Sequence, residues 1–232
     1  MLHLLYTTGS PFARAVRIVL DEIGLDYGRH EEIAAPSAGE LAPPTLQVPT
    51  LWHGDLKFWE SGIIAEYLLS TFSHRPAVEP PLAHEAFRSD ALWRDKLVFS
   101  TIQTFGTAAT TISQMRWTGV TLDTNAHLAR SAEKLTHILA WLDGQLGDLE
   151  SGFQPGFLSI HDIFLAAHVR FVQARPLGID ISLQKYEKLA SLLERLDERD
   201  SFKANPIWWW EPGIIGYEPD GTPVFEGGDR PA

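Results

Sequence analysis

Apolar positions along this chain change period several times, and each change marks an element. Leu2 to Tyr6 is a short apolar run closed by Thr7-Thr8-Gly9, the pattern of a buried strand. From there the spacing turns helical: Phe12, Val16, Val19, Leu20 and Ile23 share one face, with Ser10 as N-cap, Pro11 at the first helical position and Gly24 as the stop. Tyr27 to Ile33 predicts a second strand. Residues 34–46 are Pro- and Ala-rich and weakly patterned, which predicts a loop with a short helical turn. Thr50 to Trp52 and Leu56 to Trp59 predict a hairpin around His53-Gly54-Asp55. A helix follows from Ser61, with Ile64, Tyr67, Leu68 and Thr71 on one face. The predicted order is β-α-β-(α)-β-β-α.

Beyond Phe72 the strand signal fades. The stretch 72–82 contains Pro76, Pro80 and Pro81 after a polar turn, and reads as a linker. Helices are predicted over about His84 to Met115, Thr124 to Leu146, Ser159 to Arg175 and Leu183 to Arg199. Two apolar stripes support them: Leu135, Ile138, Leu139, Leu142, Leu146, and Tyr186, Leu189, Ala190, Leu193, Leu196. Ser159 and Asp162 form a capping box ahead of Ile163, Phe164, Ala167 and Phe171, a folding device rather than a site. From Lys203 onward Pro and Gly forbid helix. Glu218-Pro219-Asp220-Gly221 predicts a turn, hence a small hairpin or an extended arm. The expected units are 1–75, 83–200 and an aromatic, Gly- and Pro-rich extension over 201–232 that holds Trp208-Trp209-Trp210. Side-chain packing is the simplest reading of that triplet.

Composition narrows the function. A net charge of −11 and the lack of a basic stripe argue against a nucleic-acid partner. No apolar run approaches the roughly 18–20 residues that span a bilayer, and no leader pattern precedes the first strand, so the expected location is the cytoplasm. The chain has no cysteine, which removes disulfides, thiolate metal sites and chemistry at a protein thiol. Nine histidines are present, but His161 and His168, seven apart on one helix face, find no third ligand in the pattern; no metal is expected.

Three short constellations carry candidate chemistry. Gln47-Val48-Pro49 precedes the first hairpin strand; Glu60-Ser61 opens the next helix; Ser10-Pro11-Phe12 opens the first. An acid beside a helix start can bind an ammonium and a carboxylate side by side, since free backbone N–H groups and the helix dipole favour an anion there. A hydroxyl at a helix N-terminus can stabilise a thiolate, because donors and helix N-termini lower thiol pKa values. Taken singly, each has a plainer explanation as a strand start or a helix cap.

Together, and in this order, they resemble the glutathione transferase superfamily, without pointing to one class in it. That resemblance implies a thioredoxin-like α/β N-terminal domain packed on an all-α domain, assembled as a homodimer. It implies glutathione as co-substrate, its thiolate attacking a small, largely apolar electrophile. Pro49 would be cis, turning the Val48 backbone toward the cysteinyl unit. Gln47 would lie over the glutathione backbone, Ser61 would cap its helix and take the γ-glutamyl carboxylate, and Glu60 the ammonium. Ser10 would stabilise the thiolate, with Thr8 and then Tyr6 as rivals. The electrophile would lie against Phe12 and the first long helix of the second domain, where Phe99, Gln103 and Met115 are candidates. No Lys, Arg or His lies between Ile33 and Gln47 to hold the glycyl carboxylate. Without cysteine, a reductase working through its own mixed disulfide is excluded. A glutathione-dependent isomerase or peroxidase, or a non-catalytic binding protein on the same fold, stays open.

Overall fold

The computed structural model describes residues 1–32, 42–72, 79–208, 214–217, 223–225 and 227. The chain begins with β1 (Leu2–Thr7), α1 (Pro11–Ile23), β2 (Tyr27–Glu32), β3 (Thr50–His53), β4 (Leu56–Trp59) and α2 (Ser61–Thr71). Four strands form one sheet in the order β2-β1-β3-β4. β1 runs parallel to β2 and antiparallel to β3, and β3 pairs antiparallel with β4. The parallel pair requires a crossover, which α1 supplies. This is the thioredoxin-like half. The short helical turn expected within 34–46 falls largely on residues outside the described ones, as do Ile33 at the end of the second strand and most of the 72–82 linker.

Helix α1 is apolar on more than one face and is correspondingly buried: Ala13, Ala15, Val16, Ile18, Val19 and Leu20 are all sealed from solvent. Ser10 is its N-cap, its Oγ accepting from the Ala13 N–H at 3.2 Å, and Gly24 ends it in the left-handed conformation at φ 76°. Helix α2 buries Ile64, Ala65, Leu68 and Leu69, with Tyr67 half-buried; Thr71, expected on that face, is exposed.

The second half is helical: α3 (Leu92–Trp117), α4 (Ala126–Asp143), α5 (Ile160–Gln173), α6 (Glu187–Asp197) and α7 (Asp200–Lys203). α3 starts eight residues later than the apolar pattern suggests. Before it, Arg88 folds back, donating from its backbone N–H and its guanidinium to the buried Asp95 carboxylate. Helix α5 lies at the centre, packed against α1, α3 and α6. Its capping box is present in both directions, and the Asp162 carboxylate also accepts from the Phe153 N–H at 3.0 Å. A single apolar cluster runs through both halves, from Leu2 to Phe202. Past α7, β5 (Ile214–Tyr217) and β6 (Pro223–Phe225) pair antiparallel, the first of the two forms expected there; residues 218–222, Trp209 and Trp210 lie outside the described residues.

Two α5 histidines are sealed in this core. Burial lowers His161 to about 4 and His168 to about 3, so both are neutral in the folded chain near neutral pH. In the unfolded chain they protonate near the ordinary value of about 6.5. Between these values the unfolded state binds more protons, so stability is full above about pH 6.5 and is lost as pH falls toward the folded values. Urea denaturation is expected to show the protein about 2–3 kcal/mol less stable at about pH 5.5 than at about pH 7.5. Equal stability at the two pH values would contradict the neutral, buried state of these rings.

Candidate functional site

Strand register brings three loops to one end of the sheet. Leu5 pairs with Thr50 and Thr50 with Trp59, so the exit of β1, the entry of β3 and the exit of β4 lie side by side. The loops there are Thr8-Gly9-Ser10, Gln47-Val48-Pro49 and Glu60-Ser61. The first and third lead directly into α1 and α2, so two helix N-termini, with their free N–H groups and positive dipole ends, converge on one place. The peptide Val48–Pro49 is cis.

A cleft of about 340 Å³ opens there. All seven site residues expected from the sequence line it: Ser10, Phe12, Gln47, Val48, Pro49, Glu60 and Ser61. Thr7, Gly9, Pro11 and Thr45 complete that side. One local expectation needs correction. Ser61 does not cap α2; Glu60 is the N-cap residue and Ser61 the first helical one. Glu60 holds φ at 65°, a left-handed conformation that costs a non-glycine residue about 1–3 kcal/mol and that clusters at functional sites. The Ser61 Oγ accepts from Gln103 Nε2 at 3.5 Å instead of serving a helix N–H.

The hydroxyls near the cleft divide by where their protons go. Thr8 donates to Glu31 Oε1, and Tyr6 donates to Glu31 Oε2 at 3.3 Å. Burial, then the Glu31 charge, raises the Tyr6 phenol above its ordinary value. Neither residue lines the cleft. Ser10, by contrast, accepts from a backbone N–H and keeps its own proton for a ligand.

The opposite wall comes from α3 and α5. Thr107, Thr110, Thr111 and Gln114 fall at helical spacing along the cleft, with Ser113 and Trp117. Thr111 donates back to the Thr107 carbonyl at 2.8 Å and Thr110 to the Gly106 carbonyl at 3.0 Å. Their methyl groups and acceptor oxygens remain for a ligand. The α3 residues picked from sequence are elsewhere. Phe99 packs in the core with Phe87, His161 and Phe164; Gln103 bridges Ser61 and His168; Met115 packs against the core. The reason is that α3 touches neighbours on several sides, so apolar periodicity singles out no cleft-facing stripe.

Arg175, two residues past α5, is the one basic side chain among the described residues that lines the cleft. Its guanidinium donates to the Gly9 carbonyl at 3.0 Å and the Trp208 carbonyl at 2.8 Å, and it stacks 3.8 Å over the Phe171 ring. It ties the Ser10 turn, α5 and the chain leaving α7 to one another. Nothing in the local sequence marks it, because the two carbonyls it joins, those of Gly9 and Trp208, are 166 and 33 residues away. Among the described residues, no three His, Asp or Glu side chains gather in a way that would hold a metal ion.

Residues 4–76 match the family model for the glutathione S-transferase N-terminal domain. Solved structures extend the likeness over both halves. A glutathione S-transferase from Methylobacterium radiotolerans, in complex with glutathione sulfonate, is 25% identical, with a TM-score of 0.69 over 88% of this chain and 93% of that one. One from Methylobacillus flagellatus with glutathione bound is 21% identical, with a TM-score of 0.69 over 88% and 98%. A glutathione transferase family member from Pseudomonas fluorescens with bound glutathione is 19% identical, with a TM-score of 0.70 over 88% and 98%. No curated protein sequence matches the chain. Residues 4–76 thus form a glutathione S-transferase N-terminal domain, and the chain as a whole has the fold of the glutathione S-transferases.

Proposed function

We propose that this protein is a glutathione transferase that binds glutathione in the cleft and activates its thiol for attack on a small electrophile. The observation that carries the reading is the meeting of two helix N-termini with two hydroxyls, Ser10 and Ser61, each already accepting from a protein donor. Such hydroxyls face an incoming anion with their protons. Ser10 then serves the thiolate. The N-terminus of α2, with Ser61, serves the γ-glutamyl carboxylate, and Glu60 the ammonium beside it. The backbone at Val48 and the side chain of Gln47 hold the middle of the tripeptide. In the reaction the thiol proton leaves to solvent, the sulfur forms a bond to the electrophilic carbon, and that carbon's leaving group departs with its electron pair.

The second substrate lies between Phe12, Trp117 and the α3 threonines. That wall is more polar than the largely apolar electrophile expected from the sequence would call for, and it suits an electrophile carrying hydrogen-bonding groups beside an apolar body. A co-substrate that must remain a reduced thiol fits the cytoplasm. Among the described residues, no helix is long and apolar enough to cross a membrane.

Calorimetry with reduced glutathione is expected to give binding at millimolar concentration or tighter. Conjugation of a generic aryl halide is expected to fall about 100-fold or more in Ser10→Ala, in line with the loss of one anion-stabilising donor. Absence of glutathione binding would sink the reading. Binding without turnover would favour the non-catalytic alternative, and full activity in Ser10→Ala would move the thiolate role to another donor.

A homodimer completes the proposal. Trp93 and Leu97, one turn apart on α3, are 78% and 59% exposed, and Ile63 on α2 is 53% exposed. Large apolar side chains grouped on a surface mark a partner site. Light scattering is expected to give twice the 25.9 kDa chain mass, and Trp93→Glu with Leu97→Glu to give the monomer. A wild-type monomer would contradict the pairing.

A further inference from the structure

His168 takes no part in the chemistry above, yet the fold makes deliberate room for it. It sits in α5, fully buried. A Cβ on Gly106 of α3 would lie 2.5–2.8 Å from its ring atoms, so only glycine leaves the slot that the imidazole fills. Phe12, which lines the cleft, meets the same ring edge-on at 4.6 Å. Gln103, one turn before Gly106, lies 3.3 Å from His168 Nε2 through its amide oxygen. An amide oxygen only accepts, so Nε2 carries the proton and donates.

The other end of the Gln103 amide points across the boundary between the two halves. Its Nε2 donates to Ser61 Oγ at 3.5 Å. A second glycine permits this approach: a Cβ on Gly62 would lie 2.8 Å from Phe99 and 3.1 Å from Gln103 Nε2. The three groups therefore form a directed chain in which each donates to the next. Ser61 is its last member, and with an oxygen lone pair already engaged its own proton is turned toward the cleft. Hydrogen bonds in series also polarise one another, which strengthens the final donor.

We propose that His168 and Gln103 form a hydrogen-bond relay between the domains that sets the Ser61 hydroxyl as donor to the γ-glutamyl carboxylate of glutathione. Both are positioning residues; neither touches the ligand. The proposal rests on the glutathione reading above. It goes beyond it by making affinity at the N-terminal domain depend on two side chains of the helical domain.

The alternative is that Gln103 merely satisfies a buried imidazole, and a thermodynamic cycle separates the two. Glutathione affinity is measured by calorimetry on the full-length protein for wild type, Ser61→Ala, Gln103→Leu and the double variant, with thermal melts confirming folding. The relay predicts that Gln103→Leu weakens binding about 3–10-fold and that the double variant binds no worse than Ser61→Ala alone. Gln103→Glu, nearly the same shape, is expected to weaken binding more than Gln103→Leu. Its carboxylate would draw the Ser61 proton away from the ligand and repel the ligand's own carboxylate. His168→Phe should weaken binding about 2–5-fold and add nothing in the Gln103→Leu background. Folded Gln103 variants that bind like wild type, or effects that add to those of Ser61→Ala, overturn the relay and leave the glutathione reading standing. Wild type that does not bind glutathione overturns both.

Discussion

The packing of α5 against α1 is the contact on which the cleft depends. α1 carries Ser10 at its start and lies between the sheet and α5. Any slip of that interface would change the gap between the thioredoxin-like loops and the α3 wall. The interface is built to resist slipping. From Ile160 to Val172 almost every α5 side chain but Arg170 is buried, and burying a large apolar side chain stabilises by about 1.5–3 kcal/mol. One end of α5 is fixed by the capping box and the other by Arg175, which reaches across to Gly9. The element that holds the domains together thus also holds the turn that presents Ser10.

The site is sorted by the direction of hydroxyl protons. Five hydroxyls, those of Tyr6, Thr7, Thr8, Ser10 and Ser61, lie near the exits of β1 and β4, and by position alone Ser10, Thr8 and Tyr6 are candidate thiolate donors. Glu31 takes the protons of Thr8 and Tyr6. The Ala13 N–H and the Gln103 amide donate to Ser10 and Ser61, whose own protons have no protein acceptor among the described residues. A site meant for an anion needs donors, and the partners around each hydroxyl decide which residues can be donors. The helix N-termini add to the same field without titrating, so the preference for an anion that the proposed function calls for does not depend on pH near neutrality.

Much of this was legible in the sequence, for physical reasons that also explain where legibility ended. Local signals were reliable: Ser10-Pro11 as a helix start, Gly24 as its stop, His53-Gly54 as a hairpin turn, and Ser159 with Asp162 as a capping box. Each depends on the chemistry of neighbouring residues. That Thr8 and Tyr6 are engaged by Glu31 was not legible, because Glu31 reaches those two only through the parallel pairing of β1 with β2. Ser61 as helix cap was a near miss; the left-handed backbone of Glu60 shifts the cap by one residue, and no motif announces a strained glutamate. Arg175 was invisible as a site residue, and Gln103 was expected against the electrophile rather than between Ser61 and His168, because the groups that set these roles, Gly9, Trp208, Ser61 and His168, lie 33 to 166 residues away in sequence. A helix such as α3, in contact on several sides, shows no single apolar stripe from which its remaining face could be read.

The central claim is that Ser10, at the N-terminus of α1, holds glutathione as a thiolate. An ultraviolet titration of the thiolate absorbance of bound glutathione tests it most directly. An unperturbed thiol ionises near about 8.5. In the wild-type complex the midpoint should lie about one to two units lower, and in Ser10→Ala it should return most of the way to the ordinary value. A bound thiol with an ordinary midpoint in the wild type, or a lowered one that Ser10→Ala leaves unchanged, would contradict the account.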